Sequence, residues 1–464
     1  SAAIKRDSDG VVDAISAEDI GKFPDTNLAE AMSRITGVSI DRSSPGGATG
    51  EGQRITVRGI GPDYNLVLLN GRQMPASTIL DTSASSSRAF DFANLASEAV
   101  AGVDVYKTSK SDIPTGGIGA TVNIRTARPL DIGERAMSFG AKGVMDDSAQ
   151  DSSWTPEVSG IYSDVFADGK FGITLTGIYQ EREFGYNQAA TTSGWRAFKG
   201  DEVNWGTIPL PGAPGSENII NRPEPTDTYS VPQNILYGLN EVERDRTNGQ
   251  LVLQFRPIDS LTMTLDYTYS ELEIQTQRNE MSAWFNFGPS ASEWTDGPVA
   301  APIFYQEFYT GFPTDVGAGG AKYGNKNEIN SVGFNVEWTV QDNLGFALDY
   351  HNSTGEAGRA SPYGTNSVLG GVGFYRGTTS VDFSQDFPVL HIETPNGQLD
   401  PSLMLTGGAS FRNSYMKAEI DQLDLSGYYD INDTQSLDFG VTSTEVNNRS
   451  AFSNVQYDNW GGIG

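Results

Sequence analysis

After Pro129, apolar and polar residues alternate along segments of roughly ten residues, the two-residue period of a strand with unlike faces. Nine such segments are legible: Arg135–Met145, Thr155–Phe166, Lys170–Glu181, Arg246–Arg256, Leu261–Glu271, Glu328–Val340, Leu344–Ser353, Met416–Tyr429 and Gln435–Val446. In KFGITLTGIYQ, Phe171, Ile173, Leu175, Gly177 and Tyr179 share one face, and Gly172, Thr174, Thr176 and Ile178 the other. The connections alternate as well. Ala167–Gly169, Pro257–Asp259, Gln341–Asn343 and Ile431–Thr434 are tight turns, whereas 183–245, 272–327 and 354–415 are long excursions. Strands of this kind also suit a large soluble β-sandwich or propeller. Regular short–long alternation favours a transmembrane antiparallel β-barrel, with short turns inside and long loops outside. Such barrels have an even strand count, so nine strands predict the front portion of a longer protein.

The first 130 residues have a different texture, that of a small α+β domain. Asn65–Leu69 is apolar at nearly every position and is followed by Asn70-Gly71, the pair that a type I′ hairpin turn demands. A strand of that kind is buried on both faces. Ser16 to Asp19 fits a capping box, and Asp25 fits the cap of a second helix carrying Leu28, Ala31, Met32 and Ile35, with Gly37 as its stop. Val38–Arg42, Gln53–Arg58, Val103–Lys107 and 116–126 read as strands, and Asn94–Val100 as a short helix. Ser43–Gln53 and Pro75–Arg88 are polar loops. The glycine-rich stretches are not phosphate loops: Gly116-Gly117-Ile118-Gly119 leads into a strand, not a helix.

Composition narrows the chemistry. The net charge is −28. Residues 1–130 hold 13 basic and 15 acidic side chains, and the remainder holds 18 and 44, so nearly all the excess follows Pro129. That balance excludes nucleic acid as a partner. There is no cysteine, and His351 and His391 are the only histidines, which removes thiolate metal sites and makes a zinc centre or histidine triad untenable. No run of apolar residues is long enough for a membrane-spanning helix. Carboxylate pairs such as Asp146-Asp147 follow from composition, and no spacing marks an acid/base couple, so the chain does not read as an enzyme.

The blocks NLAEAMSRITGVSI (27–40), ITVRGIG (55–61), NLVLLNGRQMP (65–75), VAGVDVYKT (100–108) and GGIGATVNIRT (116–126) stand in an order that resembles the plug domain of a TonB-dependent outer-membrane receptor. The resemblance covers nearly all of residues 11–130. It implies residues 1–130 as a plug and 131–464 as the N-terminal portion of a barrel, which in that family has 22 strands. It further implies active uptake of a bulky nutrient across the bacterial outer membrane, driven by the TonB–ExbB–ExbD complex of the inner membrane. The TonB-contacting segment normally precedes the plug, and nothing ahead of Val11 matches it. In family terms Arg58 and the position of Lys107 lock the plug to barrel carboxylates, although lysine lacks arginine's two-pronged geometry.

The ligand is expected between the plug's outward loops and the barrel's long loops. Ser44, Gln53, Asp81, Ser83 and Arg88 are the polar candidates in the plug, and Trp195, Trp205, Trp284, Trp294 and Tyr305 the aromatic ones outside. Aromatic faces beside hydroxyls suit sugar rings, and DIGKFPDTNLAEAMSRITGVSI resembles the carbohydrate-linked, long-loop subclass of these receptors. An oligosaccharide is therefore the expected cargo, with a ferric siderophore as the main alternative and a peptide as a third. A surface glycan-binding protein without transport is the alternative of another class. The plain readings are that the tryptophans girdle the membrane interface and that clusters such as Glu241-Val242-Glu243-Arg244-Asp245 are solvated. No cofactor is expected beyond Ca2+ at acidic outer loops, and outer-membrane lipid is the expected surrounding.

Overall fold

The computed structural model describes residues 10–16, 27–41, 53–76, 79, 87–150, 153–203, 208–309, 313–394, 397–398, 400, 402, 405–406 and 409–457. Its first unit is built on a five-stranded sheet. The strands are β1 (Val12–Ser16), β4 (Asn65–Leu69), β5 (Arg72–Gln73), β6 (Gly102–Tyr106) and β7 (Ala120–Arg125), in the order β1-β6-β7-β4-β5. A separate ribbon pairs β2 (Val38–Asp41) with β3 (Arg54–Val57). The β4–β5 turn is as its sequence demands, with φ of 53° at Asn70 and 86° at Gly71. All five residues of β4 are buried, because β7 and β5 flank it and helix α1 (Leu28–Met32) belongs to the same core.

Some local expectations shift. The cap of α1 is Asn27, whose side chain accepts from the Glu30 amide, not Asp25, which lies outside the described residues. Ser16 ends a strand, and the remainder of the predicted capping box is also outside them. Residues 94–100 form no α-helix. Two 3-10 turns, Phe92–Asn94 and Ser97–Ala99, occupy that stretch.

A one-turn helix α2 (Pro129–Ile132) leads to the wall. Its consecutive long strands are β8 (Ala136–Val144), β9 (Thr155–Phe166), β10 (Phe171–Ala190), β11 (Asn234–Ile258), β12 (Leu261–Trp284), β13 (Pro313–Gln341), β14 (Leu344–Arg359), β15 (Ala409–Asn432) and β16 (Gln435–Tyr457), and the shorter Asn366–Tyr375 and Leu405–Thr406 join the same sheet. Each long strand pairs antiparallel with the next, so the nine predicted segments all exist, in chain order. Several are twice the predicted length, because their upper halves run into what reads in sequence as loop. The turns Ala167–Gly169, Pro257–Asp259, Gln341–Asn343 and Ile431–Thr434 lie at one end. At the first, Ala167, Asp168 and Gly169 all take positive φ.

Alternation sorts the wall's two faces. Phe171, Leu175, Tyr179, Leu265, Tyr267, Phe334, Trp338, Phe346, Leu425 and Phe439 point outward and are exposed. Aromatic residues crowd the turn end of this band, where Phe171 sits opposite both Phe166 and Phe255, and Trp338 opposite Phe346. The opposite face is polar and buried: Thr174, Thr176, Gln250, Gln254, Thr264, Thr268, Ser331 and Ser353. This is a transmembrane β-barrel wall, with lipid outside and the plug inside.

The long excursions are not structureless. Above the wall their short strands form a three-stranded and a five-stranded sheet. Trp195–Lys199 pairs with Thr228–Pro232 in the first, and Ala291–Trp294 with Pro302–Glu307 in the second. A shared apolar core of Tyr229, Val231, Phe285, Trp294, Tyr305 and Val381 makes this a folded cap.

The lipid assignment has a direct consequence. Leu265→Arg, in the outward band, should cost about 2–4 kcal/mol in lipid, whereas Leu239→Arg, outward but level with the carboxylates above the band, should cost about 0–1 kcal/mol. Urea unfolding from phospholipid vesicles would compare them, and equal costs would contradict the placement of the band.

Candidate functional site

The plug meets the wall through the β4–β5 hairpin. Arg72 follows the Asn70-Gly71 turn and reaches across to two barrel carboxylates. Its Nε and Nη2 donate to Asp349 Oδ1 and Oδ2 at 2.7 and 2.9 Å. Its Nη1 donates to both oxygens of Asp266, at 2.8 and 2.6 Å. The Arg72 side chain is 5% exposed. Asp266 lies on β12 and Asp349 on β14; β13 passes between them and presents Gly333, opposite Asp266 on one side and His351 on the other. A Cβ at Gly333 would overlap the guanidinium, so glycine there opens the space that Arg72 fills. Asn335 steadies Asp349 from β13 at 3.1 Å, and the imidazole Nε2 of His351 lies 3.3 Å from the Gln73 carbonyl. A buried, two-pronged pair of this kind fixes register, and breaking it strands charge in a dry interior.

Arg58 and Lys107, expected to hold the plug to the barrel, make their described bonds inside the plug. Arg58 Nη2 donates to the carbonyls of Gly119 and Ile118 at 2.7 and 3.4 Å. Lys107 pairs with Asp13 on the edge strand β1 and donates to the Thr36 carbonyl. Among the described residues, the buried cation that pairs the plug with wall carboxylates is Arg72. A signal for it was present: Leu265-Asp266-Tyr267 and Leu348-Asp349-Tyr350 each set one carboxylate on an inward face, between Thr264 and Thr268 in the first and between Ala347 and His351 in the second.

Above the lock, the wall sorts charge by the same alternation. Glu181, Glu183, Glu241, Glu243, Asp245, Glu271 and Glu273 fall on the outward face of β10 to β12. Lys142, Arg182, Arg244, Arg246 and Arg278 fall on the inward face of β8 to β12, with Glu157 and Glu280 as the inward carboxylates at that height. Glu181, Asp245 and Glu273 stand directly opposite one another on three strands, a like-charge row that disfavours pairing unless solvent screens it. Inside, Arg182 pairs with Glu157 at 2.9 Å, Arg246 donates to Gln180 Oε1 at 2.8 Å, and Arg278 pairs with Glu280 and lies over the Tyr323 ring at 4.8 Å. The acidic total of the chain therefore hides an interior whose upper wall is predominantly basic.

The predicted ligand residues scatter. Ser44, Asp81, Ser83 and Trp205 lie outside the described residues. Gln53 is half-buried and its carbonyl accepts from the Phe92 amide. Arg88 is exposed and donates to the Gly116 carbonyl at 3.2 Å. Trp195, 44% exposed, packs against Phe383 with ring centroids 5.4 Å apart. Trp284 is also exposed, and its carbonyl accepts from the Tyr309 hydroxyl. Trp294 and Tyr305, expected at the ligand, are fully buried instead. They belong to the cap core, where Trp294 Nε1 donates to Ser292 Oγ and the Tyr305 hydroxyl to Glu307. Among the described residues no group of three or more His, Asp or Glu gathers at a metal-sized site.

The class defined by this architecture is a plugged β-barrel. Residues 4–121 match the TonB-dependent receptor plug domain. The matched residues lie ahead of the barrel strands and include the five-stranded sheet apart from the end of β7. The ferric enterobactin receptor PirA of Pseudomonas aeruginosa is 31% identical over 130 residues, which are 26% of this chain and 17% of that receptor. Another ferric enterobactin receptor of the same organism is 37% identical over 62 residues, 13% of this chain and 8% of its own length. The chain thus aligns with less than a fifth of either relative. Among solved structures, the siderophore receptor PirA from Acinetobacter baumannii aligns over 99% of this chain and 79% of its own at 12% identity, with a TM-score of 0.32. The unliganded ferric citrate transporter FecA aligns over 97% and 75% at 12% identity, with a TM-score of 0.34.

Two outcomes test the site. Arg72→Ala leaves the buried Asp266 facing the half-buried Asp349 and should destabilise plug docking by about 3–5 kcal/mol. Gly333→Ala should act in the same direction by displacing the guanidinium, and protease sensitivity of the plug would read both. Plug protection equal to the parent's in both variants would remove Arg72 as the lock. In the cap, burial and then the nearby Glu307 push the Tyr305 and Tyr309 phenols far above their usual range. Their contribution to stability is complete below about pH 10 and is lost as pH rises through their folded values. The cap should therefore open at strongly alkaline pH before the wall does, with both phenols ionising together as seen by ultraviolet absorbance.

Proposed function

We propose that this chain belongs to a TonB-dependent transporter of the bacterial outer membrane, and that its cargo is an anionic ferric siderophore complex. The observation that carries the reading is the sorted wall: carboxylates outward, Arg182, Arg244, Arg246 and Arg278 inward above the plug. Guanidinium groups gathered in a low-dielectric interior attract anions and hold oxygen-rich ones by two-pronged hydrogen bonds. The names of the curated relatives, both ferric enterobactin receptors, point the same way.

This reverses the weight that the whole-chain charge gave to a neutral sugar. Summed charge is a poor guide in a strand wall, because adjacent residues face different media. The oligosaccharide reading keeps Trp195 and Trp284, which remain exposed, but has lost Trp294 and Tyr305 to the cap core. In the proposed cycle the cap and upper wall capture the complex, the Arg72 lock keeps the plug seated, and the TonB–ExbB–ExbD complex does mechanical work on the plug. The outer membrane holds no ATP, so that work comes from the inner membrane.

Tryptophan fluorescence of the intact receptor in detergent tests the cargo. Ferric enterobactin should quench saturably, and Arg182→Gln with Arg246→Gln should weaken it by about tenfold or more, equivalent to ~1.4 kcal/mol. A maltooligosaccharide series should give no saturable response. Saturation by sugars alone, or an affinity for the ferric complex indifferent to both arginines, would overturn the proposal.

A further inference from the structure

The plug segment 92–99 lies along the inner wall immediately beneath the arginines. Asn248 of β11 grips it twice: its Oδ1 accepts from the Ala96 amide at 2.8 Å and its Nδ2 donates to the Asn94 carbonyl at 2.8 Å. Ser270 of β12 donates to the same carbonyl. Asn248 stands opposite Ile178, one inward step below the Gln180–Arg246 pair and two below Arg182–Arg244. The far end of the segment carries Glu98, and two chains of contacts run from it to those arginines. In one, Glu98 lies 3.7 Å from Lys142, Lys142 is 2.8 Å from Glu157, and Glu157 is 2.9 Å from Arg182. In the other, Gln180 donates to Glu98 at 3.4 Å while accepting from Arg246 at 2.8 Å.

We propose that Glu98 is a positioning residue through which the plug senses whether the wall arginines are occupied. The inference rests on the reading that these arginines receive an anionic ligand. Glu157 is nearly fully buried and is held by two cations. An anion that draws Arg182 away leaves Glu157 dependent on Lys142. Lys142 then closes on the nearer, buried carboxylate, and its long contact to Glu98 is the one that breaks. An anion that draws Arg246 away releases the Gln180 amide, which is Glu98's second partner on the wall, its remaining bond being to the neighbouring Ser97 hydroxyl. Both routes loosen the same end of the segment and leave the Asn248 grip intact. Coupling of this kind is reciprocal: if ligand weakens the Glu98 contacts, weakening those contacts favours ligand by the same factor.

The chain has no cysteine, so Ser97→Cys gives a single spin-label site beside Glu98, with the Ser97 hydroxyl's own bond to Glu98 removed equally in the parent and every variant. In the ligand-free receptor, Arg182→Gln and Lys142→Gln should each raise label mobility, since each unlinks one chain. Glu98→Asp should do the same, because it keeps the charge but withdraws it by one methylene. A general field effect would leave Glu98→Asp like the parent. Parent-like mobility in Arg182→Gln or in Glu98→Asp would overturn the proposal. With ferric enterobactin as the probe, the parent label should move to the Arg182→Gln level, and Glu98→Asp should bind the probe several-fold more tightly. A probe that binds with no change in the label would also overturn it. Failure of the probe to bind the parent would count against the anionic cargo, while the ligand-free variants decide the coupling.

Discussion

A strand that crosses lipid must satisfy every backbone group in its neighbours, and this constraint sets everything else in the molecule. It forces an antiparallel wall, and the wall forces a two-residue period. Each residue is then assigned to lipid or to the interior by whether its number is odd or even within the strand. In β11 the same rule places Leu251, Leu253 and Phe255 outward and Gln250, Val252 and Gln254 inward. About 27 Å higher, eight residues along the strand at about 3.4 Å each, it places Glu243 and Asp245 outward and Arg244 and Arg246 inward. Lipid contact, plug docking and vestibule charge are three readings of one alternation.

The interior so created is largely polar, and the plug is docked into it through charge and hydrogen bonds, with Ile329 of β13 joining the plug's apolar core. The plug keeps its own core, from Leu28 and Met32 to Val103, Val122 and Ile124. Against the wall it presents Arg72, Glu98 and the backbone of residues 94–96. A polar interface costs little to separate where water can enter, which suits an element that must move. Arg72 is the exception, held by two carboxylates over Gly333, and it gives the seated plug one definite register.

Much of this was legible in the sequence because period and turn chemistry are local. KFGITLTGIYQ, the ADG turn and Asn70-Gly71 each carry their structure within a few residues. The cap was not legible, because its strands are two to six residues long and are defined only by partners far away, such as Ile219–Ile220 against Ala291–Trp294. Trp294 and Tyr305 look like surface aromatics in a loop until that core is assembled. Arg72 lies 194 and 277 positions from its carboxylates, so only the paired LDY segments hinted at it. The sorted charge was legible and was obscured by summation: Glu181-Arg182-Glu183 and Glu243-Arg244-Asp245-Arg246 already alternate sign with the strand period.

The most direct test of the wall is spin-label accessibility along β10 from Ile173 to Gln180, one cysteine at a time, in lipid vesicles. The account predicts that labels at 173, 175, 177 and 179 meet oxygen dissolved in lipid, while those at 174, 176, 178 and 180 are shielded from both oxygen and a water-soluble nickel chelate by the plug. Accessibility without a two-residue period, or even-numbered positions open to the lipid probe, would contradict it.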